Sequence, residues 1–216
     1  MGDERLTGAG SEEWDLVFGS ERASKQKRRA VFLDRDGVIN RNVFNPDTGA
    51  YEAPHRIEDV DLLPGALAAL ARLQAAGWPL FLVSNQPDHA LGKASLETIR
   101  AIHAEIVSRL AVAGVTLREA YYCYHHPKGR APGYSGACIC RKPSPYFLLQ
   151  ARDAHDLDLA ACWMVGDRAS DIACGQAGGL RTILVAPDHP AAFAAVDPPP
   201  DHHARDLSKA AAIILA

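Results

Sequence analysis

The sequence predicts an α/β fold in which a central parallel sheet is covered by helices on both faces. Three observations predict it. Short apolar runs recur along the chain, each long enough for one buried strand and too short for a helix. Apolar residues at helical spacing stand between them. Acids or a hydroxyl follow directly after three of the runs, where an open parallel sheet keeps its ligand crevice.

The elements follow in order. Ala30–Leu33 is the first strand. Leu63, Leu67, Leu70 and Leu73 mark a helix closed by Gly77, and Pro79–Val83 is the second strand. Ser95 caps a helix whose stripe is Ile99, Ile102, Ile106 and Leu110. Ala120–Tyr122 is the third strand. Ser144 and Pro145 start the next helix, with the serine as cap and the proline in the first turn. Cys162–Val165 is the fourth strand, a helix spans Ser170–Ala177, and Thr182–Val185 is the fifth strand. Pro198–Pro200 is a loop, and Leu207–Leu215 is the last helix. Residues 1–29 are polar and read as a loosely ordered extension, in which the segment around Trp14 to Phe18 could dock. Residues 30–216 form the folded domain.

Composition narrows the function. Among 216 residues, 23 are Lys or Arg and 26 are Asp or Glu, a net charge of −3. That balance argues against nucleic acid or an anionic membrane as partner. No apolar run approaches the roughly 18 residues of a membrane span. Acids precede bases at the N-terminus and no apolar stretch lies between them, which argues against a secretory signal. Five cysteines are an odd number, so a complete disulfide framework is not expected, and the cytoplasm is the expected compartment. A monomer is expected.

The strand ends carry the chemistry. Asp34, Arg35, Asp36 and Gly37 follow the first strand, Ser84, Asn85 and Gln86 the second, and Gly166, Asp167, Arg168 and then Asp171 the fourth. Lys142 precedes the third helix. Close carboxylates are costly without a cation, and an all-oxygen set suits Mg²⁺ with a substrate phosphate. One carboxylate beside the metal can attack a phosphoryl group while another moves the proton. Ser84 and Lys142 can hold the phosphoryl oxygens. Arg35, Asn85 and Gln86 stand at the same edge and are read as substrate contacts.

Four ordered motifs, Phe32–Gly37, Val83–Gln86, Arg141–Pro143 and Val165–Asp171, resemble those of the haloacid dehalogenase-like (HAD) phosphatases. The resemblance implies a HAD-like Rossmannoid three-layer sandwich without a large cap domain. It implies that Asp34 is the nucleophile and Asp36 the general acid/base, and that Mg²⁺ takes Asp34, the backbone carbonyl of Asp36, and Asp167. Asp171 lies one helical turn beyond Asp167, where it could meet the metal's water shell or cap its helix.

Cys123, His125, Cys138 and Cys140 form a C-x-H and a C-x-C pair. Residues two apart on extended chain point the same way, so each pair can bite one ion. Three sulfurs and one imidazole suit a structural Zn²⁺. His126 would point away from His125. Cys162 and Cys174 read as small core residues. A zinc loop over 123–140 leading into Arg141-Lys142-Pro143 resembles the heptose-bisphosphate and histidinol-phosphate phosphatases, and Tyr121–Cys123 with His125–Pro127 is nearest to the heptose group. That resemblance implies Arg141 and Arg168 as substrate contacts and a small phosphorylated sugar as substrate, cleaved at the 7-phosphate of D-glycero-D-manno-heptose 1,7-bisphosphate. Histidinol phosphate or another small ester is the alternative. Asp47, Glu52 and Asp88 are acids placed near the mouth, suited to a cationic amine. Two other classes, a phospho-acceptor domain and a zinc nucleic-acid module, fit less well. The first needs neither Asp36 nor zinc, and the second does not suit an acidic α/β chain.

Overall fold

The computed structural model describes residues 28–46, 48–186 and 196–216. The segment Trp14–Phe18 and Asp47 lie outside them. Six strands form one parallel sheet: β1 (Val31–Leu33), β4 (Leu80–Asn85), β5 (Glu119–Cys123), β6 (Trp163–Gly166), β7 (Arg181–Val185) and β8 (His202–Ala204). Their order across the sheet is β5-β4-β1-β6-β7-β8. β1 is thus central, with Phe32 opposite Phe81 on one side and Met164 on the other. The strand order reverses beside β1, which opens the crevice where ligands bind.

Side chains alternate across the sheet with a period of two, so each strand feeds two cores. Val31, Leu33, Leu80, Leu82, Val165 and Ile183 face α1 (Ala66–Ala75), α3 (Leu96–Val112) and α6 (Leu207–Ile214). Phe32, Phe81, Val83 and Met164 face α4 (Tyr146–His155) and α5 (Ala169–Ala177). The predicted stripe Ile99, Ile102, Ile106 and Leu110 is the buried face of α3, and Ser95 accepts from the Thr98 N–H as its cap. Cys162 and Cys174 are buried.

Four local expectations change. A hairpin of β2 (Val43–Asn45) and β3 (Ala50–Glu52) and the short α2 (Asp88–Leu91) follow strand ends that read as loop. The hairpin packs only its own Phe44 and Tyr51 edge to face, so no buried alternation marks it. β8 is an edge strand with one buried residue, Ala204, and no apolar run to announce it. Helix α4 starts at Tyr146 with Pro145 at the cap position, one residue later than expected, while the Ser144 hydroxyl accepts from the Tyr146 N–H at 3.4 Å and donates to the Ile139 carbonyl at 2.5 Å. Arg28 and Arg29, assigned to the extension, belong to the domain: the Asp158 N–H donates to the Arg28 carbonyl, and Arg29 lies over the Trp78 ring.

Only the hairpin and a turn of 3-10 helix at Ile57–Asp59 separate β1 from α1, so no cap domain covers the sheet edge there. Helix α5 is pressed against the sheet at Gly175, where a Cβ would lie 2.7 Å from Met164 Cβ and from Thr182 Cγ2. Gly175→Ala should therefore lower stability by about 1–3 kcal/mol in urea unfolding, against the ~1 kcal/mol gain that an open helix position would give.

Candidate active site

The strand ends meet as the motifs require. Asp34 follows β1, Ser84 and Asn85 end β4, and Asp167 follows β6. Together with Lys142, Arg141, Arg168 and Asp36 most of them line one cavity of about 230 Å³. At its base Lys142 is buried, with its ammonium among three protein oxygens. It pairs with Asp34 Oδ1 at 2.9 Å and Asp171 Oδ1 at 2.6 Å, and donates to the Val83 carbonyl at 2.7 Å. Burial alone would lower the Lys142 pKa, but the Asp171 and Asp34 charges outweigh it and hold the ammonium above the usual lysine range. Asp171 also accepts from the Arg168 N–H at 3.0 Å, so its two oxygens serve the helix start and the lysine.

Carboxylate oxygens of Asp34, Asp167 and Asp171 lie within 4.8 Å of one another. Burial, reinforced by the neighbouring carboxylates and opposed by Lys142, pushes Asp34 up to about 6. Burial, then the Asp34 and Asp171 charges, push Asp167 up to about 8. Asp167 Oδ1 is buried and has no hydrogen-bond partner among the described residues. Crowded oxygens that resist ionisation, one of them unsatisfied, fit a hard divalent cation. Gly37 makes the approach possible: it has φ +85, and a Cβ there would run into the Asp167 carboxylate.

Other residues are placed differently from expectation. Arg35 and Gln86 are fully buried and do not line the cavity; both turn to Asp36. Asn85 lines the cavity and clamps the Lys142 backbone, donating to its carbonyl at 3.1 Å and accepting from its N–H at 3.0 Å. Arg141 Nη1 donates to the His125 carbonyl at 3.2 Å, and Arg168 is more than half exposed at the rim.

The sulfur site is compact. Sγ of Cys123, Cys138 and Cys140 and Nδ1 of His125 stand 3.3–3.9 Å apart across their measured pairs. Ligands about 2.3 Å from a tetrahedral metal stand about 3.8 Å from each other, so the set fits zinc. Burial pushes the Cys123 thiol up, and also that of Cys140. At Cys138 backbone N–H groups of Cys140 and Arg141 outweigh burial and hold the thiol below the usual range. His126 turns instead to the Lys128 N–H.

Comparison with known proteins gives the lineage. A family model for HAD-hydrolase-like proteins matches residues 139–210. The D-glycero-D-manno-heptose-1,7-bisphosphate 7-phosphatase of Thermosynechococcus vestitus is 41% identical over 73% of this chain and 79% of its own. The D-glycero-beta-D-manno-heptose-1,7-bisphosphate 7-phosphatase of Rhodopseudomonas palustris is 35% identical over 73% and 83%. A solved D,D-heptose 1,7-bisphosphate phosphatase from B. bronchiseptica, complexed with magnesium and phosphate, superposes with a TM-score of 0.73 at 30% identity. It covers 87% of this chain and 98% of its own. The chain belongs to the heptose-bisphosphate phosphatase family of HAD-like hydrolases. It is therefore a phosphoric monoester hydrolase. Among the described residues no helix is long and apolar enough to cross a membrane.

The cavity lining also includes two acids, Glu52 and Asp88, together with Lys93. Lys93 Nζ is 2.6 Å from Glu52, and its hydrogen bond is the main cause holding that carboxyl at about 2. His55 Nε2 lies 3.3 Å from Asp88, whose carboxyl burial pushes up. Glu52 and Asp88 were legible as mouth acids. His55 and Lys93 were not, because only the hairpin and α2 bring them together.

The Asp34–Lys142–Asp171 triad generates a prediction. Lys142→Met removes the cation and leaves two buried carboxylates. Stability at neutral pH, in chelator, should fall by about 3–5 kcal/mol. The sign with pH follows from Asp34, whose folded pKa is raised by burial to about 6 while Lys142 opposes the rise. Without the lysine it rises further, so the unfavourable charge is lost as pH falls and loss begins at higher pH than in the wild type. The deficit of the variant should therefore shrink from pH 7 to pH 5, as measured by urea titration at each pH.

Proposed function

We propose that the chain is a Mg²⁺-dependent phosphatase that works through an aspartyl phosphate on Asp34 and removes the 7-phosphate of D-glycero-D-manno-heptose 1,7-bisphosphate. The observation that carries the reading is the cavity itself. An ion-paired Asp34 lies at its base beside Asp167, and Arg141 and Arg168 lie at its mouth, in a member of the heptose-bisphosphate phosphatase family. Asp34, Asp167 and the backbone carbonyl of Asp36 would hold Mg²⁺. The ion would neutralise phosphoryl charge and let a carboxylate approach it. Lys142 holds Asp34 in one orientation for attack, and the Ser84 hydroxyl meets a phosphoryl oxygen. Asp36 gives its proton to the leaving sugar oxygen and later takes one from water. Arg141 and Arg168 grip the phosphate that does not react, for which the guanidinium fork is suited.

Cys123, His125, Cys138 and Cys140 would hold a structural Zn²⁺. Its value here is placement: Arg141 and Lys142 follow Cys140 directly, so a loosened loop would displace both. None of the five cysteines is in a disulfide, which supports a reducing compartment and hence the cytoplasm. A monomer without nucleic-acid partner is retained as the working description. The second reading is histidinol phosphate, favoured by Glu52 and Asp88 on the cavity wall, where a substrate amine could lie.

Two measurements test these readings. Protein purified without chelator should contain one zinc per chain by elemental analysis. Cys138→Ser should lower that content and reduce turnover while leaving magnesium dependence in place; a zinc-free, fully active wild type would remove the site. For substrate, specificity constants are compared on heptose 1,7-bisphosphate, its monophosphate and histidinol phosphate. Arg141→Ala should cost the bisphosphate about 1.5–3 kcal/mol, roughly 10- to 150-fold, with little effect on the monophosphate. Asp34→Asn should abolish turnover on all three. A wild-type preference for histidinol phosphate would transfer the assignment to that ester.

A further inference from the structure

Asp36 is held by more donors than its place at a cavity wall requires. Its Oδ1 accepts from Arg35 Nε at 3.1 Å and Asn40 Nδ2 at 2.8 Å. Its Oδ2 accepts from Gln86 Nε2 at 2.6 Å and lies 3.1 Å from Arg35 Nη2. Arg35 Nη2 also donates to Gln86 Oε1 at 2.9 Å, and Gln86 Nε2 lies 3.0 Å from Ser84 Oγ. This network admits one orientation of the Gln86 amide, since a flip would set its oxygen against the Asp36 carboxylate. Arg35 and Asn40 are 0% exposed and Gln86 1%, and none of the three lines the cavity. Behind them Arg35 sits over the Tyr122 ring, whose hydroxyl bonds His103 Nδ1 at 2.7 Å. An arginine is costly to bury, so its position here is informative.

We propose that Arg35 and Gln86 are positioning residues that aim Asp36 at the leaving oxygen, with Gln86 taking its bearing from the phosphoryl-binding Ser84. The inference rests on the reading of Asp36 as proton shuttle. In the first step an Asp34 oxygen attacks phosphorus. The ester P–O bond breaks with its electron pair going to the sugar oxygen, which takes the Asp36 proton and leaves as the alcohol. Asp36 is then a carboxylate, and the four donors meet that charge. In the second step water attacks the aspartyl phosphate and gives its proton to Asp36, and the bond to Asp34 breaks with its electron pair returning to that carboxylate. A sugar alkoxide needs the proton, whereas nitrophenolate leaves well without it. Proton donation to the leaving oxygen enters kcat/KM, whereas the hydrolysis of the aspartyl phosphate is shared by both esters. A misaimed Asp36 should therefore injure kcat/KM on the sugar ester and spare it on the aryl ester, which general loss of fold would not do.

The test measures kcat and KM of the magnesium-loaded enzyme on heptose 1,7-bisphosphate and on p-nitrophenyl phosphate. Asp36→Asn should lose about 10²–10⁴-fold more kcat/KM on the sugar ester than on the aryl ester. Gln86→Met, close in volume, should lose kcat/KM in the same direction by roughly 10- to 100-fold. If thermal melting shows that Gln86→Met does not fold, Arg35→Lys, which keeps the charge and loses the fork, carries the same expectation. Equal losses on the two esters, or none, in a folded variant would overturn the positioning role. A uniform effect in Asp36→Asn would overturn the shuttle reading itself, and the inference with it. A selective loss in Asp36→Asn without one in Gln86→Met or Arg35→Lys would overturn the inference alone.

Discussion

The site depends on one buried ammonium. Lys142 stands between Asp34 and Asp171 and ties both to the Val83 carbonyl at the end of the central strands. Without it, three carboxylates with oxygens within 4.8 Å of one another would face each other with no lysine between them. With it, Asp34 is ion-paired, while Asp167 Oδ1 is buried without a hydrogen-bond partner among the described residues. That imbalance leaves the site short of positive charge, the condition in which a divalent cation and a phosphoryl dianion enter together.

Three devices place that lysine. Asn85 clamps its backbone from the end of β4 by a pair of hydrogen bonds. The Ser144 hydroxyl holds the Ile139 carbonyl, and the sulfur site closes two residues before the lysine at Cys140. The loop between Cys123 and Cys140 is too polar to pack a core of its own, so its order rests on ligand geometry. The Cys/His cluster and the buried lysine are thus neighbours in sequence. The same loop carries Arg141, so one fixture sets both the base of the cavity and one edge of its mouth.

The lining of the cavity is mixed in character. It carries the Arg141 and Arg168 forks, and it carries Glu52 and Asp88 tied to Lys93 and His55. The two acids come from the hairpin and from α2, the two insertions that follow β1 and β4. An uncapped HAD-like fold must draw its selectivity from such short elements, because no separate domain closes over the substrate. The chemistry at the base and the choice of ester at the mouth are therefore carried by different parts of the chain.

What the sequence by itself determined was whatever rests on local spacing. Five buried strands, the helical stripes, the order of the acids at the strand ends and the paired Cys/His ligands all follow from periods of two and of about 3.6, and from the chemistry of residue types. It did not determine the hairpin or β8, whose residues are mostly polar or exposed and so carry no buried alternation. Nor could it tell a side chain that faces the substrate from one that stands behind the catalytic group. Arg35 and Gln86 adjoin Asp36 and Ser84 in sequence, yet they point inward, and Lys142 is paired with both Asp34 and Asp171. Only the tertiary structure decided these, because burial and the saturation of donors depend on which strands lie side by side, and residue spacing along one strand carries no record of that.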